Sequence, residues 1–323
     1  MKTKHFLPAA LAALSLLSCN REPLPTDGTP VQVNVSILPA ASTRSATPSS
    51  AEEAAVSTLQ VYVFNNGKLE DYRKVDGDTN ATVTATAGER TVWALVNAPV
   101  ISGITTEEGL RTKTSRLEDN RIGSFVMSGS TTTTLTNGGT VGITVRRIVS
   151  RVSIRKITHN LPYSLATEPM TIKGIYLINV AADNVYTADG TPGAWVNMLG
   201  HNETAYDALL YDALSKSIEG HASYTTEHVF YPYPNPTVES SYADTWGPRH
   251  TMLVVEVTFE GEQGYYPVEL PVLERNKSYV IEEIVLLHRP GDKPYKPIET
   301  GSATVKISVH DWEDGENLGT VNL

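Results

Sequence analysis

An all-β fold in two domains is what this 323-residue sequence predicts, and three observations predict the class. Apolar residues recur at every second position in run after run, as at Val31, Val33, Val35 and Ile37. Threonine, valine and tyrosine are plentiful while stretches with helical spacing are few. Turn residues separate the runs at hairpin distance, Asn66-Gly67 most clearly. The length suits two domains of about 100–200 residues each.

The chain opens with a basic segment (Lys2, Lys4) and an apolar stretch from Phe6 to Leu17. That stretch is too short to span a bilayer but right for a secretory signal. It ends Leu16-Leu17-Ser18-Cys19, a sequence similar to a bacterial lipobox, and Cys19 is the only cysteine. Cys19 is therefore expected to carry lipid, and several acyl chains at about 0.8 kcal/mol per buried methylene anchor a protein stably. Residues 1–19 read as a lipoprotein signal and 20–44 as a tether with a removable first strand. Residues 45–147 and 148–323 read as the two domains.

Strand Val31–Leu38 follows the tether. Residues 39–55 are rich in small residues and proline, and Arg44 is the lone cation between Arg21 and Lys68. Such a segment suits a protease, with cleavage between Arg44 and Ser45; the plain alternative is a linker arginine. Strands are then expected at Leu59–Phe64, Leu69–Val75, Thr82–Thr86, Val92–Asn97, Gly123–Ser128 and Gly142–Arg147, with a short helix within Thr105–Arg121. The turn Asp76–Asn80 lacks the remaining ligands and closing glutamate of a calcium loop, so no metal is assigned. The run Val141–Ile157 is long for one strand and reads as two, meeting near residue 148.

In the second half strands are expected at Val152–Ile157, Thr171–Val180, Met252–Phe259, Tyr265–Leu270 and Tyr279–Leu287. Between them, 183–248 reads as irregular, with one three-turn helix carried by Tyr206, Leu209, Leu210, Ala213 and Leu214. Thr204 and Asp207 resemble its capping box. Pro290–Thr300 is a loop. The chain closes on Thr304–Trp312, where Val305, Ile307 and Val309 share one face and Trp312 ends the strand.

A net charge of −10 excludes a nucleic-acid binder as the default, because the basic run Arg146, Arg147, Arg151, Arg155, Lys156 carries no interleaved aromatics and reads as a solvated strand face. The eight histidines are scattered, and neither H-E-x-x-H nor G-x-S-x-G occurs. No enzymatic activity and no cofactor are expected. Aromatics cluster at Trp195, Tyr206, Tyr211, Tyr224, Tyr231, Tyr233, Tyr242 and Trp246, read chiefly as packing residues; a sugar-stacking platform is the competing reading.

VSTLQVYVF at 56–64, GERTVWALVNAP at 88–99, IKGIYLINV at 172–180 and NKSYVIEEIVLLHRPGDKPYKP at 276–297, in this order and spacing, resemble the Bacteroidales fimbrillins of type V pili. The resemblance covers nearly the whole chain. It implies two transthyretin-like sandwiches with one or two short helices, export as a lipoprotein to the outer membrane, and cleavage by an arginine-specific protease at Arg44–Ser45. It also implies a fimbrium built by strand exchange with other copies and related subunits. The vacancy left by Val31, Val33, Val35 and Ile37 is then filled by a neighbour's tail (303–323), through Val305, Ile307, Val309 and Trp312. Binding of a host protein or glycan is a further expectation. A glycan-binding surface lipoprotein and a non-cleaved anchor are the alternatives.

Overall fold

The computed structural model describes residues 28–39, 51–187, 189–238, 241–298, 307–312 and 320–322. The all-β class holds. Among the described residues helix is confined to α1 (Glu107–Arg111), α2 (Tyr163–Ala166), α3 (Asp207–Leu210) and two single 3-10 turns.

The first eight strands are β1 (Pro30–Pro39), β2 (Thr58–Asn65), β3 (Lys68–Asp76), β4 (Asn80–Thr86), β5 (Gly88–Val96), β6 (Thr114–Arg116), β7 (Met127–Leu135) and β8 (Thr140–Arg147). All but β6 form one sheet, in the order β3-β2-β5-β7-β8-β1-β4. β7 and β8 pair only at Met127–Arg147 and Ser128–Arg146 and then diverge, while β3 comes to lie against β4. The sheet thus folds over into two layers whose alternating aliphatics meet inside, with Val35, Val61, Val83, Ala94 and Ile143 fully buried. Asn66 and Gly67 both have positive φ (47° and 76°), as the two-residue turn between β2 and β3 requires. At Gly129, where β7 and β8 cross, a Cβ would stand 2.1 Å from the Thr144 carbonyl oxygen.

The remaining strands begin with β9 (Arg151–Ile154), β10 (Ile157–His159), β11 (Met170–Ile178), β12 (Val180–Ala181), β13 (Asp183–Val185) and β14 (Trp195–Val196). They continue with β15 (Tyr211–Ile218), β16 (Ser223–Tyr224), β17 (His228–Phe230), β18 (Met252–Phe259) and β19 (Glu262–Glu269). The last are β20 (Lys277–Ile281), β21 (Glu283–Leu286), β22 (Ser308–Asp311) and β23 (Thr320–Asn322). Sheet β15-β11-β18-β19 faces sheet β17-β9-β20-β22, in which β9 and β20 run on past short breaks as β10 and β21 and β16 leads into β17, giving the sheet β16-β10-β21-β23 with β23 parallel to β21. Ile154, Ile175, Leu177, Val255 and Ile281 fill the space between. The two sets of strands share an apolar cluster, because Trp93, Leu95, Leu117 and Phe125 join it from the first set. β6 pairs with β13 across the junction, and a buried relay runs there from Asn120 through Tyr233 to Ser115.

Three expectations need correction. Helical spacing at Tyr206–Leu214 yields only the single turn of α3 before the chain extends into β15, and Tyr206, not Thr204, stands at its cap position without a side-chain bond. The ladder decides this: β11 is buried on both faces and needs a partner on each edge, which β15 and β18 supply. The strand expected at Gly123–Ser128 starts at Met127 and runs on through the threonines to Leu135, because β5 pairs with it along that whole length. The basic run is not a solvated face throughout: Arg147 and Arg151 are buried, whereas Arg146 is exposed.

Gly129→Ala should force β7 and β8 apart next to their paired positions and destabilise the protein by about 1–3 kcal/mol. Urea denaturation against wild type checks this, and an unchanged midpoint would show that the crossing has room to give.

Candidate assembly site

β1 is an interior strand. It pairs antiparallel with β4 from Pro30–Thr86 to Ser36–Asn80, and parallel with β8 from Asn34–Thr140 to Pro39–Val145. Val31, Val33, Val35 and Ile37 all point into the aliphatic core and are at most 8% exposed. Burying each is worth roughly 1.5–3 kcal/mol before ordering costs. This strand precedes a segment, 40–50, that lies outside the described residues, and Arg44 and Ser45 fall within it. Cys19 and Val305 also lie outside them.

The wall of the groove that β1 fills is held from behind. β4 has no ladder partner but β1 among the described residues, yet carboxylates of β3 take up its other edge. Asp71 Oδ2 accepts from the Thr84 N–H at 2.8 Å, and Glu70 Oε1 from the Thr86 N–H at 2.9 Å and the Thr86 hydroxyl at 2.6 Å. Glu70 Oε2 is paired with Arg90 Nε at 2.7 Å. Burial tends to raise the Glu70 carboxyl, but the bonds from Thr86 and Arg90 outweigh it and hold the group below its ordinary value.

The carboxyl-terminal strand occupies an edge of this same chain. β22 pairs antiparallel with β20, Val280 opposite Ser308 and Lys277 opposite Asp311, and β23 lies parallel to β21. Val309 is 45% exposed, Ser308 is buried and Ile307 packs partly against the core. The face shared by Ile307 and Val309 is therefore only partly covered within this chain.

Trp312 is 1% exposed and closes a cluster at the junction. Its ring stacks on Tyr231 (5.7 Å between centroids), meets Phe125 edge-on at 5.8 Å, and lies under the Arg147 guanidinium at 4.5 Å. Glu53 sits beneath. Its Oε1 pairs with Arg151 Nε at 3.1 Å and accepts from the Tyr231 hydroxyl at 2.8 Å, and its backbone carbonyl accepts from Arg147 Nε at 2.8 Å. Burial, then the Glu53 charge, push the Tyr231 hydroxyl up. Sequence reasoning named Trp312 but missed its partners Glu53, Arg147 and Tyr231. The two adjacent glutamates in an otherwise small-residue segment were the available signal.

Of the aromatic group at 195–246, Tyr231 and Tyr233 are buried, and only Tyr242 and Trp246 are exposed. Trp246 meets Trp195 edge-on at 5.6 Å and packs against Arg249. Arg249 in turn ties the loop by donating to the carbonyls of Ser241, Ala243, Thr245 and Gly247. The rings serve packing more than they form a platform.

The architecture is that of a sandwich-built structural protein in which strands from near both chain ends complete the sheets. The profile of the Major fimbrial subunit protein (FimA) family matches residues 29–204, and the chain belongs to that family. It is a structural subunit of a cell-surface fimbrium, assembling with other fimbrial subunits. A search of curated proteins returns no match. Among solved structures, a candidate cell adhesion protein from Bacteroides eggerthii superposes with a TM-score of 0.65 at 16% identity, over 88% of this chain and 97% of that one. The FimA fimbrilin of Porphyromonas gingivalis gives a TM-score of 0.57 at 13% identity, over 90% and 96%. The tip fimbrial protein Mfa3 of the same organism gives 0.52 at 14%, over 88% and 100%. At these identities the likeness is one of fold.

Trp312→Ala should destabilise the protein by about 3–5 kcal/mol, since it empties a close-packed site and leaves Glu53 with one neighbour fewer. Urea titration measures the loss, and a change below about 1 kcal/mol would mean that the ring is not holding the junction. A second expectation concerns pH. Because the folded Glu70 carboxyl is held below its unfolded value, its contribution is complete above about pH 4.3 and is lost as pH falls through the lower folded value. Glu70→Gln should therefore flatten the acid limb of the stability–pH curve, and an unchanged limb would contradict the clamp.

Proposed function

We propose that the chain is made as a lipoprotein on Cys19, is cut between Arg44 and Ser45, and polymerises when the tail of one copy enters the groove vacated by β1 in the next. The observation that carries this is the interior position of β1. Its removal deletes four buried aliphatics and both ladders at once, leaving a strand-shaped, apolar vacancy between β4 and β8. Unpaired edges of that kind recruit a strand in trans. The clamp from Asp71 and Glu70 supports the reading because it keeps β4 attached while the groove is empty. An exchange of strands contributes about 0.5–1.5 kcal/mol per backbone hydrogen bond beyond the apolar burial.

The tail suits the part. Val305, Ile307 and Val309 repeat the rhythm of Val31, Val33 and Val35, and in this chain the Ile307 and Val309 side chains are only partly covered. The strands up to Arg147 and those from Arg151 are read as two sandwich domains, the first accepting and the second donating. The natural protease is arginine-specific, the precursor is held at the outer membrane by its lipid, and adhesion follows from display on the fimbrium.

Cleavage and assembly are checked together. The surface form should begin at Ser45 by amino-terminal sequencing, and Arg44→Ala should leave monomers that form no fibres in negative-stain micrographs. A peptide of residues 303–323, added to the cut protein, should cap growth. Fibres from Arg44→Ala at the wild-type rate would overturn the reading, and a surface form starting at Cys19 would make the chain an anchor.

A further inference from the structure

We propose that the cleft where the two sets of strands meet beside β7 and β8 is a binding site for an acidic sugar, whose anionic group is held by Arg111, Arg146 and Arg275. The inference does not depend on strand exchange, since Arg111, Arg146 and Arg275 belong to neither the β1 ladders nor the ring contacts of Trp312. A cavity of about 380 Å³ opens there, lined by Arg111, Ser130, Thr144 and Arg146 from the first set of strands and by Asp189 and Arg275 from the second.

Arg275 is the fixed charge of the site. Its guanidinium donates to the carbonyls of Arg146 (2.7 Å), Thr187 (2.9 Å), Ser128 (3.2 Å) and Arg147 (3.3 Å), and to the Ser128 hydroxyl (3.0 Å). Every one of these acceptors is neutral. The group is therefore held rigidly, with no carboxylate in direct contact among the described residues. Burial, and then the nearby charge of Arg146, push its pKa down to about 10, which marks a positive charge short of compensation. The charge of Asp189 opposes this shift without forming an ion pair among the described residues.

Arg146 is exposed on β8, and its side chain has no carboxylate partner among the described residues. Arg111 lies over the Trp93 ring at 4.9 Å and shares Glu107 at 2.7 Å, so its charge is half-neutralised and its stem is held in place. Counting Glu107 and Asp189 against the three guanidinium groups leaves the cleft positive in a chain whose net charge is −10. Like charges crowded at one place are costly unless an anion joins them.

Size and lining choose among anions. The cavity exceeds what a bare sulfate or phosphate needs and falls in the range of small-molecule sites, about 300–1,000 Å³. The hydroxyls of Ser130 and Thr144 line it beside the guanidinium groups and suit the hydroxyls of a sugar, while the carboxylate or sulfate takes the arginines. A neutral sugar would leave the charge unmet.

The test uses the full uncut chain as a monomer, with N-acetylneuraminic acid as probe, its neutral relative N-acetylmannosamine, and sodium sulfate at matched ionic strength. Calorimetry reads affinity, and amide NMR of Ser128–Ser130 and Thr187 reads location. The sugar acid should bind with shifts confined to those amides, the neutral sugar should not bind, and sulfate should bind about tenfold more weakly. Arg146→Ala removes an exposed side chain and should keep the thermal midpoint while lowering affinity for the sugar acid about tenfold or more. Arg111→Ala should also weaken binding. Sulfate binding as tightly as the sugar acid would reduce the cleft to a site for an adventitious ion only, and no binding, or Arg146→Ala binding as wild type does, would overturn the inference. Arg146→Ala should still form fibres after cleavage, which separates this result from the assembly reading.

Discussion

β4 is held in the fold by β1 on one edge and by two carboxylates on the other, and the rest of the first set of strands depends on that arrangement. An antiparallel ladder satisfies every backbone group of β4 that faces β1. On the far edge, where a further strand would sit, Asp71 and Glu70 accept from Thr84 and Thr86 instead. Side chains thus close a seam that backbone does not, and β3 and β4 stay together without a ladder between them. The same device ties β4 to β3 through side chains, independently of its ladder with β1.

The second constraint is the junction. Trp312 near the carboxyl end, Glu53 in the segment before β2, and Arg147 and Arg151 at the turn from β8 to β9 converge on one buried cluster. A buried carboxylate costs a good deal unless it is paired, and Glu53 is met by Arg151 and the Tyr231 hydroxyl. Arg147 reads the Glu53 backbone and covers the indole, so it joins the two ends through both a hydrogen bond and a ring contact. The geometry couples the position of the tail to the segment just after Arg44, with no need for a direct contact between β1 and β22.

Alternation made most of this legible in the sequence. Period-two runs placed β1, β2, β4, β5, β11, β18 and β19 within a few residues, and the Asn66-Gly67 turn fixed the first hairpin. What failed did so for tertiary reasons. The Tyr206–Leu214 spacing fits a helix locally, and only the unmet edge of β11 explains why the chain extends there. The polar threonines of β7 carry no apolar rhythm, so their strand is visible only through its pairing with β5. Buried Arg147 and Arg151 looked like surface residues because their partner, Glu53, is almost a hundred positions away in sequence. Charge alone cannot tell a solvated strand face from an ion pair assembled across the fold.

The tail shows how one segment can serve two environments. A β-strand has two faces, and a shift of one residue exchanges them. Within this chain the inward positions of β22 are Ser308 and, beyond it, Trp312, while Val309 faces out and Ile307 is only partly covered. Edge pairing with β20 and the stack around Trp312 hold it there, rather than burial of its aliphatics. The groove filled by β1 offers the opposite balance, with two ladders and an aliphatic floor. A tail that moved from the edge to that groove would give up the indole stack and one ladder, and would bury the face that its own chain leaves half-used. The difference between those two settings, and not the strength of either alone, is what would set the direction of exchange.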